Sequence, residues 1–271
     1  MAAIPEPDGT GSQRQCPPAA PGRQASPAPP GTPAPPGHAG THDTSAAGER
    51  AVLTVLLALT LLSGLVDAVC YLGLGRVFTA NMTGNLVVLG FAAAGAPGFS
   101  VTATLTSLAV FLVGAIAGGR LTVRVATRSR MLILAIAIEA VFVAAAASVA
   151  CTAVTVATGW GRYTTIALLA FAMGIRNAVI RRLSIPDMTT TVLTMTLTGL
   201  AADSALAGGN NQRAVRRAAS ALAMLAGAVA GAALFLHRGP GLPLAIAAGA
   251  AAATAIGAQA SGAVRSYLDR K

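Results

Sequence analysis

Apolar residues run in eight blocks after Ala51, at 51–72, 77–95, 99–119, 131–151, 162–180, 188–207, 218–236 and 241–260. Each block is near the roughly 20 residues that a helix needs to cross a bilayer core. Two of them, 77–95 and 188–207, are richest in Thr, Asn and Gly within the apolar run. In lipid, such groups are tolerated only where they face protein or water. The stretches that contain them, GLVDAVCYLGLGRVFTANMTGNLVVLG from Gly64 to Gly90 and IRNAVIRRLSIPDMTTTVLTMTLTGLAADS from Ile175 to Ser204, are therefore the ones around which the rest of the chain is read.

Before the first block the pattern is different. Residues 1–48 hold eleven of the fifteen prolines and no apolar run. A segment of this kind buries too little surface to offset its ordering entropy, so a disordered tail is expected there, with the membrane domain at 49–271. Pro27, Pro30, Pro33 and Pro36 make consecutive PxxP steps, a spacing that suits a partner with an aromatic groove and that composition alone also generates. No basic segment and apolar core precede a cleavage site, so the first membrane block is expected to act as the targeting signal.

Arginine placement decides how many blocks cross. If all eight span, seven arginines fall on the amino-terminal side, the terminal Lys271 set aside, and eight on the other, which is no bias. If 77–95 and 188–207 dip in and return, one side collects Arg50, Arg120, Arg124, Arg128, Arg130, Arg181, Arg182, Arg213, Arg216, Arg217, Arg265 and Arg270, twelve in all, against Arg76, Arg162 and Arg238, three. The positive-inside rule expects that asymmetry. The expected architecture is thus an all-α integral membrane protein with six transmembrane helices plus two polar re-entrant segments, both termini cytoplasmic.

Composition agrees, with 54% hydrophobic and 10% charged residues, against about 25% charged in soluble domains. Residues 1–50 carry three Arg and four acids, net −1, so the formal +10 lies in the remainder as 16 basic and five acidic residues, net +11. Arginine in short loops between apolar blocks offers no nucleic-acid face. Cys16, Cys70 and Cys151 are far apart, with no second Cys or His at metal-ligand spacing, so neither a disulfide framework nor a metal site nor any cofactor is indicated.

The two polar stretches are weakly self-similar. Asp67-Ala-Val matches Asn177-Ala-Val and Thr79-Ala-Asn81 matches Thr189-Thr-Thr191 at an offset of 110, while Gly114-x-x-x-Gly118 matches Gly227-x-x-x-Gly231 at 113. The block at 99–119 has four Arg after it and none before, whereas 218–236 has three before and one after. Equivalent elements with opposite charge polarity imply opposite orientation, so the halves 51–157 and 158–271 read as an inverted repeat, an arrangement that places solute sites near the midplane.

VDAVCYLGLGRVFTANMTGN, then RNAVIRRLSIPDMTTTVLT followed by LTGLAADS, resembles the YoaK family of bacterial multi-pass membrane proteins over about residues 51–260. The resemblance implies an integral inner-membrane protein with about six spans. It brings no substrate, reaction or cofactor.

The candidate pathway residues are Asp67, Asn81, Thr83, Asn85, Glu139, Arg176, Asn177, Thr191 and Asp203. Asp67 must pair, protonate or meet water, with Arg176 or Arg76 as partners. Glu139, nine residues into its block, is a candidate proton carrier or a carboxyl bonded to a neighbouring helix. Asn81, Thr83 and Asn85 offer amides and hydroxyls to a solute if the backbone is partly unwound; if helical, Asn81 and Asn85 share one face and bond a neighbouring helix. Arg176, deeper than Arg181 and Arg182, is expected to hold an anion or the carboxylate of Asp67 or Asp203. Asp203 reads equally as a helix-end charge. The leading reading is a transporter or channel-like protein for a small polar or ionic solute, in contact with the bilayer and with scope for homo-oligomers. A non-transporting scaffold or sensor, with the tail binding a partner, is the alternative. An enzyme would need a nucleophile with a base or a metal set, and the sequence offers neither.

Overall fold

A computed structural model of the chain describes residues 39–152, 159–184, 193–203 and 214–270, and these are helical almost throughout, with no strand among them. In order the helices are α1 (Ala39–Gly73), α2 (Met82–Ala93), α3 (Val101–Arg124), α4 (Arg128–Cys151), α5 (Gly159–Leu183), α6 (Leu193–Ala202), α7 (Ala214–Arg238), α8 (Gly241–Ala260) and α9 (Gly262–Asp269). Six of them, α1 over Ala46–Gly73 together with α3, α4, α5, α7 and α8, are long and apolar enough to cross a membrane. The chain is an all-α multi-pass membrane protein, as its apolar blocks predict.

Helices α2 and α6 occupy the two polar blocks and have 12 and 10 residues. At 1.5 Å per residue they rise about 18 and 15 Å, well short of a hydrocarbon core of about 30 Å. Contacts between helix ends show how the chain runs around them. Gly75, just past α1, faces Ala103 at the start of α3 and Arg162 at the start of α5, so these three ends lie together. At the other end of the bundle, Gly48 of α1 meets Tyr267 of α9, Ser129 of α4 bonds Asp269, and Glu49 pairs with Arg216 of α7. The chain therefore enters and leaves α2 at one end of the bundle, and leaves α5 and returns into α7 at the other. Helices α1 and α5 run antiparallel.

The tightest packing follows the small residues. Helix α1 packs on α7, and α3 on α5. A methyl group on Gly114 of α3 would strike the carbonyl of Phe171, and one on Gly118 the carbonyl of Ile175. On the other pair, Gly227 and Gly231 of α7 sit against the carbonyls of Leu61 and Leu65 in α1. Close backbone approach of this kind is how helices associate in lipid, where apolar side chains gain nothing by leaving the solvent. The remaining layer is α4, which packs on both α5 and α8. Outward faces carry large apolar residues, including Leu112, Ile116, Leu225 and Val229, as expected against acyl chains.

Two differences from the sequence reading have local causes. Helix α1 begins at Ala39, ten residues inside the stretch assigned to the tail. The last tail proline is Pro36, so nothing in 39–48 breaks a helix, and Gly48 and Glu49 are held by α9 and α7. Residues 1–38 lie outside the described residues. Helix α9 follows a break at Ser261, whose hydroxyl caps it by accepting the Val264 N–H. It buries Val264 and Leu268 on one side only, and eight residues are too few to show in a hydrophobicity window set for membrane spans.

Candidate functional site

Ser63 and Asp67 lie four residues apart on α1, so they share one face and sit about 6 Å apart along the axis. Both are buried, and Thr60 beside them is too. This strip joins two polar assemblies, both in the second half of the helix.

The first assembly is organised by Asp67. One carboxylate oxygen accepts the N–H groups of Thr79 at 2.7 Å and Ala80 at 2.9 Å and the Thr79 hydroxyl at 3.2 Å, and the other accepts the N–H of Asn81 at 3.1 Å. The backbone at the approach to α2 is thereby folded over a single side chain. Asn81 caps α2 by accepting the Gly84 N–H, and Asn85 uses both ends of its amide on Phe78, accepting its N–H at 2.8 Å and donating to its carbonyl at 2.7 Å. Asn85 also donates to Ser107 of α3, whose hydroxyl donates to the same Phe78 carbonyl. Backbone groups freed where a helix is interrupted in lipid need such partners. Asp67 and Asn85 supply them.

The second assembly is an ion pair. Arg176 of α5 donates through Nη1 to Glu139 Oε1 of α4 at 2.7 Å, and the two side chains are 0% and 1% exposed. Its Nη2 donates to the Ser63 hydroxyl at 2.5 Å, and Nη1 also reaches the Leu59 carbonyl at 3.4 Å. Three crossing helices thus converge on one guanidinium. Glu139 Oε2 and Arg176 Nε have no hydrogen-bond partner among the described residues. A buried pair stabilises a fold only when its remaining lone pairs and protons are also matched. This one is left half matched.

Beyond the pair, towards the end of the bundle where α3 and α5 finish and α4 begins, lies a cavity of about 1300 Å³. Asn177, Thr122, Arg128, Arg181 and Arg182 are among the residues that line it.

The candidates from sequence separate under this geometry. Asp67, Asn81 and Asn85 come together, but around the backbone of the chain itself. Thr83 is exposed on α2. Asp67 meets neither Arg176 nor Arg76: the Thr79–Asn81 amides fill its acceptor positions, and Arg76 instead lies over the Phe99 ring. Arg176 holds neither Asp67 nor Asp203. It faces Glu139 because α4 and α5 pack side by side with antiparallel directions. Asp203, 60% exposed, pairs with Arg217 at 2.5 Å and is a helix-end charge. Asn177 is half-buried in the cavity wall, and Thr191 lies outside the described residues. Sequence reasoning missed Ser63 and Ser107. Ser63 had a signal, its place four residues before Asp67, whereas a lone Ser in the α3 block had none.

Comparison with known proteins places this arrangement. The family described as "Protein of unknown function (DUF1275)" matches residues 55–257. The UPF0700 transmembrane protein YoaK of Bacillus subtilis (strain 168) is 38% identical over 166 residues, covering 59% of this chain and 69% of the relative. No solved structure matches. The matched span runs from α1 into α8 and contains both polar assemblies, so the chain belongs to the DUF1275 family, with a YoaK transmembrane protein among its relatives.

Proposed function

We propose that the chain moves a small polar or ionic solute across the membrane, as a carrier or channel-like protein built from two inverted halves, about 51–157 and 158–271. The pairing of glycines supports the repeat. Gly64 of α1 lies against the Met224 carbonyl of α7, and Gly174 of α5 against the Phe111 carbonyl of α3. The glycines differ by 174 − 64 = 110 and their partners by 224 − 111 = 113, the two offsets found in the sequence. Gly114 against Phe171 and Gly227 against Leu61 repeat the relation, at 227 − 114 = 113 and 171 − 61 = 110. With α1 and α5 antiparallel, the halves are inverted, and the first helix of each packs on the third of the other.

The observation that carries the transport reading is the Glu139–Arg176 pair. It lies where α1 and α4 of one half meet α5 of the other, and it keeps an unpartnered carboxylate oxygen and an unpartnered guanidinium N–H in the interior. Intramembrane charges at a repeat interface mark solute or ion paths. The chain has no catalytic role in this reading. The arginine asymmetry supports a plasma-membrane protein with both termini in the cytoplasm, which puts the cavity on the cytoplasmic side.

The test is uptake by proteoliposomes containing the purified protein, screened across small ions and polar metabolites, with E139Q as comparison. Uptake that E139Q abolishes while the variant still folds supports the reading. No uptake of any solute, or uptake that E139Q leaves unchanged, contradicts it. The scaffold alternative rests on a different observation, that Asp67, Asn81 and Asn85 are engaged with the chain's own backbone. It expects E139Q to change stability and nothing else.

A further inference from the structure

The cavity at the cytoplasmic end has a chemistry of its own. Arg128 of α4 and Arg181 and Arg182 of α5 reach its wall from two helices, and no Asp or Glu among the described residues lines it. None of the three arginines is in an ion pair among the described residues. Asp269 of α9, which meets the start of α4, is engaged there with the Ser129 N–H and hydroxyl, each at 2.9 Å. Anchoring at the lipid surface accounts for arginines in this region but not for their convergence. Arg120, Arg124 and Arg130 lie on the same helix ends and stay out of the lining.

The repeat supplies an internal comparison. At an offset of 110, the counterparts of Arg181 and Arg182 are Tyr71 and Leu72, and at 113 the counterpart of Thr122 is Phe235. At the opposite end of the bundle the Phe235 ring packs against Gly73. The corresponding places in the other half thus carry Tyr71, Leu72 and Phe235, and the repeated architecture does not impose the arginines.

We propose that this cavity is a binding chamber for an oxyanion of the phosphate or carboxylate type, held by the guanidinium groups of Arg128, Arg181 and Arg182, with Asn177 and Thr122 deeper in the wall. Guanidinium groups match the paired oxygens of such anions bidentately, and they bind more strongly where water is partly excluded. The volume, about 1300 Å³, exceeds the roughly 300–1,000 Å³ of ordinary small-molecule sites, so the anion is bound together with water or with an attached group. The inference deepens the transport reading and names its substrate class, but its test measures binding alone, so either can fail without the other.

The full chain is purified in a neutral detergent, and unfolding midpoint and equilibrium retention of radiolabelled inorganic phosphate are measured with phosphate or acetate against sodium chloride of matched ionic strength. The same protein is then placed in nanodiscs with and without phosphatidylglycerol. The expected result is saturable binding of the oxyanion beyond the chloride control, weakened roughly tenfold or more in R181Q/R182Q, as the loss of charge-assisted bonds requires, and unchanged in R120Q/R124Q. If R181Q/R182Q does not fold, R128Q takes its place. Saturation by inorganic phosphate in detergent assigns a free anion, and saturation only by phosphatidylglycerol assigns a lipid headgroup; both support an oxyanion chamber. An effect no larger than chloride, or an equal loss in R120Q/R124Q, overturns it.

Discussion

Asp67 and Glu139 illustrate how one kind of residue serves two ends within the same bundle. Asp67 is matched by four donors from its own chain, so replacing it by Asn leaves a single acceptor oxygen and turns an NH2 group towards backbone N–H groups. D67N should lose about 1–3 kcal/mol, the usual cost of unsatisfied buried donors, and limited chymotrypsin digestion should cut faster at Phe78. Unaltered stability and cleavage would mean that the backbone before α2 does not depend on this carboxylate. For the ion pair, E139Q leaves the Arg176 charge buried without its counterion, and R176Q does the converse. Each should cost about 3–5 kcal/mol, while the double variant E139Q/R176Q should be more stable than either single one. Strict additivity of the two losses in thermal unfolding would contradict a direct coupling. At this scale the sequence showed which polar residues are costly in lipid, because each stands out against an apolar block. It did not show their partners, because a partner such as Ser63 or a backbone carbonyl such as that of Leu59 is chosen by how helices pack.

Among the helices, the small-residue stripes decide the packing, and they separate glycines that are needed from those that are not. Ala in place of Gly114 or Gly227 forces apart two backbones that are in contact, so both variants should lose about 1–3 kcal/mol, the range seen for overpacked sites. The two losses should be similar, because the proposed repeat makes the sites equivalent. Gly119 and Gly249 have nothing near the place where a methyl would go, and Ala there should gain about 0.5–1 kcal/mol through helix propensity. Denaturation midpoints of the four variants check the set, and a destabilised G119A together with a neutral G114A would reverse the assignment. Block positions in the sequence located every crossing helix, and 241–260 coincides with α8. The sequence reading fell short where tertiary contact carries a helix beyond its apolar block, as at Ala39 in α1, and where an amphipathic turn such as α9 is too short to register.

As a whole, the described residues hold six helices long and apolar enough to cross a membrane, with the short α2 packed on α3 and the short α6 on α7. The arginine count made that topology readable, since positive charge reports loop location regardless of packing. The proposed repeat is faint in identity, and the pairing of glycines with partner carbonyls supports it, since only packing relates an offset of 110 on one helix to 113 on another. The central claim is that α2 and the segment between α5 and α7 each return to the side they came from, so that the halves face opposite ways. Single cysteines at Pro97, in the turn after α2, and at Val215, at the start of α7, both exposed, test it most directly. They are placed in a background in which Cys16, Cys70 and Cys151 are serine, and labelled in intact cells with a maleimide that cannot cross the membrane. Pro97→Cys should be labelled from outside and Val215→Cys only after the membrane is opened; labelling of both from the same side would contradict the inverted arrangement.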